Sequence, residues 1–127
     1  MLEKDSHRAF SKSERLSSKK IIDNLFTKGI TLKSYPFVIK YMPLAEAEGR
    51  NHQILFSVSK RNFKKAPDRN RIKRQLREAY RLNKEKLFNT EKNYAIAYIY
   101  TFNKKLPYAE LEIKLIQSLV RLEEVLI

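Results

Sequence analysis

QILFSVSKRNFKKAPDRNRIKRQLREAYR, residues 53–81, changes its period halfway along, and that change decides the fold. From Gln53 to Arg61 the residues alternate, with Ile54, Phe56 and Val58 on one side and Leu55, Ser57 and Ser59 on the other, the period of a strand. After Pro67 the period turns helical, with Asp68 as the expected N-cap. Projected at about 100° per residue, Ile72, Leu76, Ala79 and Leu87 form one narrow stripe. Asn70, Lys73, Arg74, Arg77, Arg81 and Lys84 share a broad arc opposite it. One face docks and the other is offered outward. Arg69 projects near the stripe and Arg71 onto the other flank, both in the first turn, while Asn83 falls on the stripe and fits it poorly.

Charge is concentrated on this segment. Between Lys60 and Lys86 twelve Lys and Arg face three acids, so nine of the thirteen net positive charges sit there. An ordinary solvated helix face alternates signs to gain i,i+4 pairs, yet only Glu78 lies beside this arc. Like charges at this density cost folding free energy, which points to a polyanionic partner. Arg outnumbers Lys five to one over residues 69–81, favouring bidentate phosphate recognition and a structured ligand.

Outward from this unit, Tyr94 to Phe102 reads as a further strand and Tyr108 to Ile127 as a helix with a core stripe of Leu111, Leu115, Leu119, Leu122 and Leu126. The strand, helix, strand order implies a crossover and a parallel strand pair. Upstream, Ser13 to Lys28 reads as a helix capped by Ser13, with Ile21, Ile22, Leu25 and Phe26 on one face and Gly29 as a left-handed C-terminal residue. Residues 30–44 are extended, with Phe37, Ile39 and Tyr41 alternating against Val38 and Lys40, and Pro36 separates two short strands. Residues 45–52 form an acidic surface loop joining antiparallel strands. Residues 1–13 read as a mobile or partly ordered arm, Phe10 excepted. The sum is one α+β domain over residues 1–127, with helices against a small sheet.

Composition removes several classes. At 43% hydrophobic and 11% aromatic, the chain is richer in core-forming side chains than a disordered basic tail. It has no cysteine, and its two histidines, His7 and His52, are far apart, which leaves no disulfides and no zinc set. Two glycines do not make a phosphate-cradling loop, and no nucleophile and base pair stands out. No signal-type h-region and no apolar run of ~18 residues is present, so a cytoplasmic protein without membrane contact is expected.

SVSKR at 57–61 followed by RNRIKRQLREAYR at 69–81 resembles the bacterial ribonuclease P protein subunit, whose signature is an RNR box on a helix after such a strand. ERLSSKKIIDNLFTKG, residues 14–29, is similar to that family's first helix. The resemblance implies a small mixed sheet of about four strands packed with three helices, ribosomal-protein-S5-like, with a left-handed βαβ crossover against the right-handed default. It also implies the activity: removal of the 5′ leader of precursor tRNA, with catalysis and magnesium ions carried chiefly by the RNA subunit. The partners implied are ribonuclease P RNA and precursor tRNA, with no further protein required.

Carried onto this sequence, Arg69, Asn70, Arg71, Lys73, Arg74, Arg77 and Arg81 would meet the RNA subunit, with Lys60 and Arg61 beside them. A second surface, a cleft between sheet and first helix, would take single-stranded leader nucleotides by stacking over a cationic floor. Its residues would be Ile22, Phe26, Phe37, Val38 and Lys40. Ile22 stands where the family often has an aromatic and Lys40 where it often has Tyr, with Tyr41 or Phe10 as possible replacements. The alternative, read from the basic helix alone, is a structural RNA-binding or ribosome-assembly protein without a substrate cleft.

Overall fold

The computed structural model describes residues 9–127. Three helices, α1 (Lys19–Lys28), α2 (Ala66–Asn83) and α3 (Tyr108–Leu126), pack on one four-stranded sheet of β1 (Ile30–Ser34), β2 (Phe37–Pro43), β3 (Gln53–Val58) and β4 (Tyr94–Tyr100). The strand order is β1-β2-β4-β3. β1 with β2 and β2 with β4 run antiparallel, while β3 and β4 are parallel, as the intervening helix requires. The acidic loop therefore joins strands that are not neighbours, because β4 inserts between β2 and β3.

The register sorts side chains into two faces. Phe37, Tyr100 and Val58 align across the sheet, as do Ile39, Tyr98 and Phe56, and these form the inner face under α2 and α3. Ile72, Leu76, Ala79 and Tyr80 of α2 close over it, with all five predicted leucines of α3 beside them. Tyr98 is fully buried and its hydroxyl meets Ser118 Oγ at 2.9 Å, so the polar atom is satisfied inside the core. The outer face is smaller. Ala95, Ala97, Met42 and Leu55 lie under α1, whose Ile21 and Leu25 join Leu16 and Leu44 in a second cluster.

Several ends differ from the sequence reading. α1 begins at Lys19, capped by Ser18, whose side chain accepts the Ile21 N–H at 3.4 Å, because a short 3-10 turn at Lys12–Glu14 uses Ser11 and Ser13 separately. Gly29 is extended (φ −66°, ψ 153°) and not left-handed. Glycine is needed there because a Cβ would stand 2.3 Å from the Leu25 carbonyl oxygen. Lys65, not Asp68, occupies the N-cap of α2, and Asp68 in the first turn pairs with Lys105 at 2.7 Å. Of the arm expected over residues 1–13, residues 1–8 lie outside the described residues. Phe10 packs edge-on against Tyr80 at 5.7 Å, so the segment is tied to the core from that point.

The largest departure is Lys84, expected on the outward arc. It is 4% exposed, and its Nζ donates to Glu14 Oε1 and to the Ala9 carbonyl, both at 2.5 Å. The helix tightens to a 3-10 turn at Lys84–Leu87, and the changed rotation per residue turns this side chain inward. Asn83 fits its position because Nδ2 donates to the Ala79 carbonyl at 2.8 Å and to Glu112 at 3.3 Å.

Leu76 has no solvent exposure at the centre of this packing, so Leu76→Ala should cost about 2–5 kcal/mol, read as a lower urea midpoint at unchanged slope. An unchanged midpoint would place α2 off the sheet. Two buried groups also set the acid limit. His52 faces the Leu87 carbonyl through Nε2 at 2.8 Å and accepts the Tyr94 N–H on Nδ1 at 3.0 Å, which suits a neutral ring. Burial lowers its pKa below 6.5 against the raising effect of the Leu87 bond. Burial raises the Glu14 pKa, but the hydrogen bonds from Lys84 and Ser11 outweigh it and hold the carboxyl below 4.5. In both cases the unfolded chain binds more protons, so stability is lost as pH falls below about 6.5 and again below about 4.5. His52→Gln should flatten the first decline in a pH series of urea midpoints, and Glu14→Gln the second; unaltered profiles would contradict these assignments.

Candidate nucleic-acid interface

α2 carries the outward cations as a rigid row because its opposite face is committed to the sheet. Asn70, Arg71 and Arg74 are exposed, and Lys73, Arg77 and Arg81 are half-buried. Lys60 and Arg61 are exposed in the turn after β3, where the Arg61 N–H donates to Ser59 Oγ at 3.0 Å. The arc is thus present without Lys84, and Arg69, Arg81 and Arg77 each have neighbours that orient them.

Arg69 turns back onto its own loop, Nη1 donating to the carbonyls of Phe63 at 2.8 Å and Lys64 at 3.0 Å, so it braces the entry to α2. Arg81 is bound by Glu78 in a two-pronged pair, Nη2 to Oε1 at 2.6 Å and Nε to Oε2 at 3.0 Å, which fixes its guanidinium plane. Arg77 lies beside Arg15 of the N-terminal segment. Burial, then the neighbouring charges of Arg15 and Arg74, lower the Arg77 pKa from its usual value. Nothing local in the sequence marks Arg15, because its approach to α2 depends on the Lys84–Glu14 contact seventy residues apart.

The second surface is the part of the outer face that α1 leaves open. Val38, Ile99 and Ser57 are aligned across β2, β4 and β3, with Lys40 two residues along on the same face, and all four are half-buried. Lys40 Nζ donates to Thr31 Oγ1 at 3.3 Å, which holds its charge at the sheet surface. On α1, Ile22 packs partly against the outer cluster and Phe26 is 40% exposed, a large apolar ring presented to solvent. Phe37 does not belong here. It is 1% exposed on the inner face, edge-on to Tyr98 at 5.3 Å, because successive strand side chains point to opposite faces and Val38 takes the outer one. Tyr41 shares the inner face with Ile96, and Phe10 is held by Phe56 and Tyr80, so neither supplies an aromatic to the outer face. Ile99 and Ser57 join it instead, once β4 is known to lie between β2 and β3.

Arginine forks on a fixed helix match phosphate oxygens, and a half-apolar sheet face carrying the amines of Lys40 and of Lys33, the β1 partner of Val38, suits unpaired bases and their backbone. Among the described residues, no group of three His, Cys, Asp or Glu side chains comes together to hold a metal ion, and no helix is long and apolar enough to cross a membrane.

Comparison with known proteins gives the same direction. The chain is 43% identical over 77 residues to the ribonuclease P protein component of Porphyromonas gingivalis, a match covering 61% of this chain and 56% of that protein. It is 39% identical over 80 residues to that of Chlorobium phaeobacteroides, covering 61% and 55%. The matched stretch thus spans little more than half the length of these curated relatives. In fold it is similar to the solved RNase P protein of Staphylococcus aureus, with TM-score 0.72 at 21% identity over 91% of this chain and 100% of that one. The RNase P protein from Thermotoga maritima superposes with TM-score 0.69 at 24% identity, covering 85% and 96%. The family model described as Ribonuclease P matches residues 10–123, which takes in the N-terminal turn, the sheet and all but the end of α3, and the chain accordingly belongs to the ribonuclease P protein family.

Proposed function

We propose that this chain is the protein subunit of ribonuclease P, binding the catalytic RNA subunit through the outward face of α2 and the 5′ leader of precursor tRNA on the open outer face of the sheet. The observation that carries the reading is the arginine-rich row on α2, with Arg71, Arg74 and Arg77 facing away from a core that takes Ile72, Leu76 and Ala79, in a chain of this family. Phosphate contacts of this kind position an RNA without reading its bases, which suits a subunit that must hold one RNA and admit many leaders.

In this reading hydrolysis is the work of the RNA subunit. Magnesium ions there supply charge neutralisation at the reacting phosphodiester. The chain offers no carboxylate cluster for the ion among its described residues, so its part is to neutralise and orient RNA phosphates nearby. Leader nucleotides lie on the floor made by Val38, Ile99 and Ser57, with Lys40 countering their backbone and Phe26 offering a ring for one base. Stacking of that kind is worth about 1–3 kcal/mol per base and tolerates any sequence.

Reconstitution with a bacterial ribonuclease P RNA tests both surfaces. The protein alone should cleave nothing; with the RNA it should stimulate precursor cleavage at low magnesium, more for substrates with a leader than for those without. Phe26→Ala should lower affinity for the leader-bearing substrate by roughly tenfold, with little change for the leaderless one. Equal stimulation of both substrates would remove the leader surface. Recovery of ribosomal RNA without ribonuclease P RNA from cells would favour an assembly protein instead.

A further inference from the structure

Beyond Ile54, the outer edge of β3 has no strand partner among the described residues. The N-terminal segment crosses there. The Leu16 N–H donates to the Ile54 carbonyl at 3.0 Å, Phe10 packs on Phe56 and Tyr80, and buried Lys84 ties down both Glu14 and the Ala9 carbonyl. Between this segment and α2 runs a groove of about 250 Å³ lined by Phe10, Arg15, Ser17, Leu55, Phe56 and Arg77. Two guanidinium groups thus stand on one groove, delivered by elements far apart in sequence.

Neither has an acidic partner among the described ion pairs, since the adjacent Glu14 is committed to Lys84. Arg15 is oriented by its own neighbours: its guanidinium carbon lies 5.5 Å from the centre of the Phe10 ring, and Nη2 donates to the Phe10 carbonyl at 3.4 Å. The buried Lys84–Glu14 pair therefore has a consequence for the surface, because it presents Arg15 toward Arg77 despite their repulsion, which contributes to the lowered Arg77 pKa after burial. An ordered segment that brings two like charges together at an open groove is stabilised by an anion between them.

We propose that Arg15 and Arg77 form a two-sided seat for a single RNA phosphate, in the groove between the N-terminal segment and α2. The site deepens the reading of the chain as a ribonuclease P subunit and rests on it. An RNA backbone is the anion that fits, because Arg77 continues the row of Lys73 and Arg74, so a strand lying on that row reaches the groove without leaving the surface. The phosphate comes either from the RNA subunit or from the leader of the precursor.

The test is a double-mutant cycle on the full chain with Arg15→Gln, Arg77→Gln and both, with melting temperature as the fold control. Binding to ribonuclease P RNA is measured across a potassium chloride series, and reconstituted holoenzyme binding is measured on precursors with and without a leader. Each single variant should weaken one of these binding events by roughly tenfold and flatten its salt dependence, while the double variant should be little weaker than either. A loss on the RNA subunit assigns the phosphate to that RNA, and a loss confined to leader-bearing precursor assigns it to the leader. Arg15→Lys keeps the charge and the ring contact but not the fork; it should still bind more weakly than the parent. Effects of Arg15→Gln and Arg77→Gln that simply multiply, or an Arg15 variant equal to the parent in both arms, would overturn the seat. Arg74→Ala serves as reference: if it too leaves RNA binding unchanged, the fault lies with the proposed function itself.

Discussion

Everything presented at the surface depends on the seam between α2 and the inner face of the sheet. Ile72, Leu76, Ala79 and Tyr80, none more than 3% exposed, meet Phe56, Tyr98 and their neighbours, and this packing fixes the rotation of the helix about its axis. Rotation matters because residues three and four apart share a face, so seating the apolar stripe leaves Asn70, Lys73, Arg74, Arg77 and Arg81 no orientation but outward. A flexible basic tail would have to order its cations on binding; this helix has them ordered beforehand, and the core carries the cost.

The same seam organises the rest. α2 ends in a tightened turn that swings Lys84 under the N-terminal segment, and the Lys84–Glu14 pair holds Phe10 and Arg15 against the open edge of β3. On the far side of the sheet, α1 covers one end of the outer face through Ile21 and Leu25 and leaves the Val38, Ile99 and Ser57 end open. Two surfaces of different chemistry, one cationic and one half-apolar, are thus set on opposite layers of one thin domain.

Much of this was legible in order and period. The stripe of α2 and the five leucines of α3 could be read because each is a local repeat whose phase is set by covalent geometry. What escaped was non-local. Lys84 follows the helical phase of its predecessors, and nothing local announces the 3-10 turn that buries it. Ser18, and not the expected Ser13, caps α1, because Ser13 lies inside the 3-10 turn whose Glu14 is held by Lys84 from the far end of α2. Phe37 was placed in the cleft by family likeness although the alternation over residues 37–41 already sets it opposite Val38; the alternation was the better guide. Arg15 could not be placed beside Arg77 without the fold.

The central claim is that RNA lies on the outward row of α2. A photoactivatable cross-linker placed singly at Asn70, at Arg74, and at Gln117 on the exposed side of α3 measures it directly, in complex with ribonuclease P RNA. The account predicts efficient cross-links to RNA from positions 70 and 74 and background levels from 117. Comparable cross-linking from all three, or none from 70 and 74 in a complex that still forms, would contradict it.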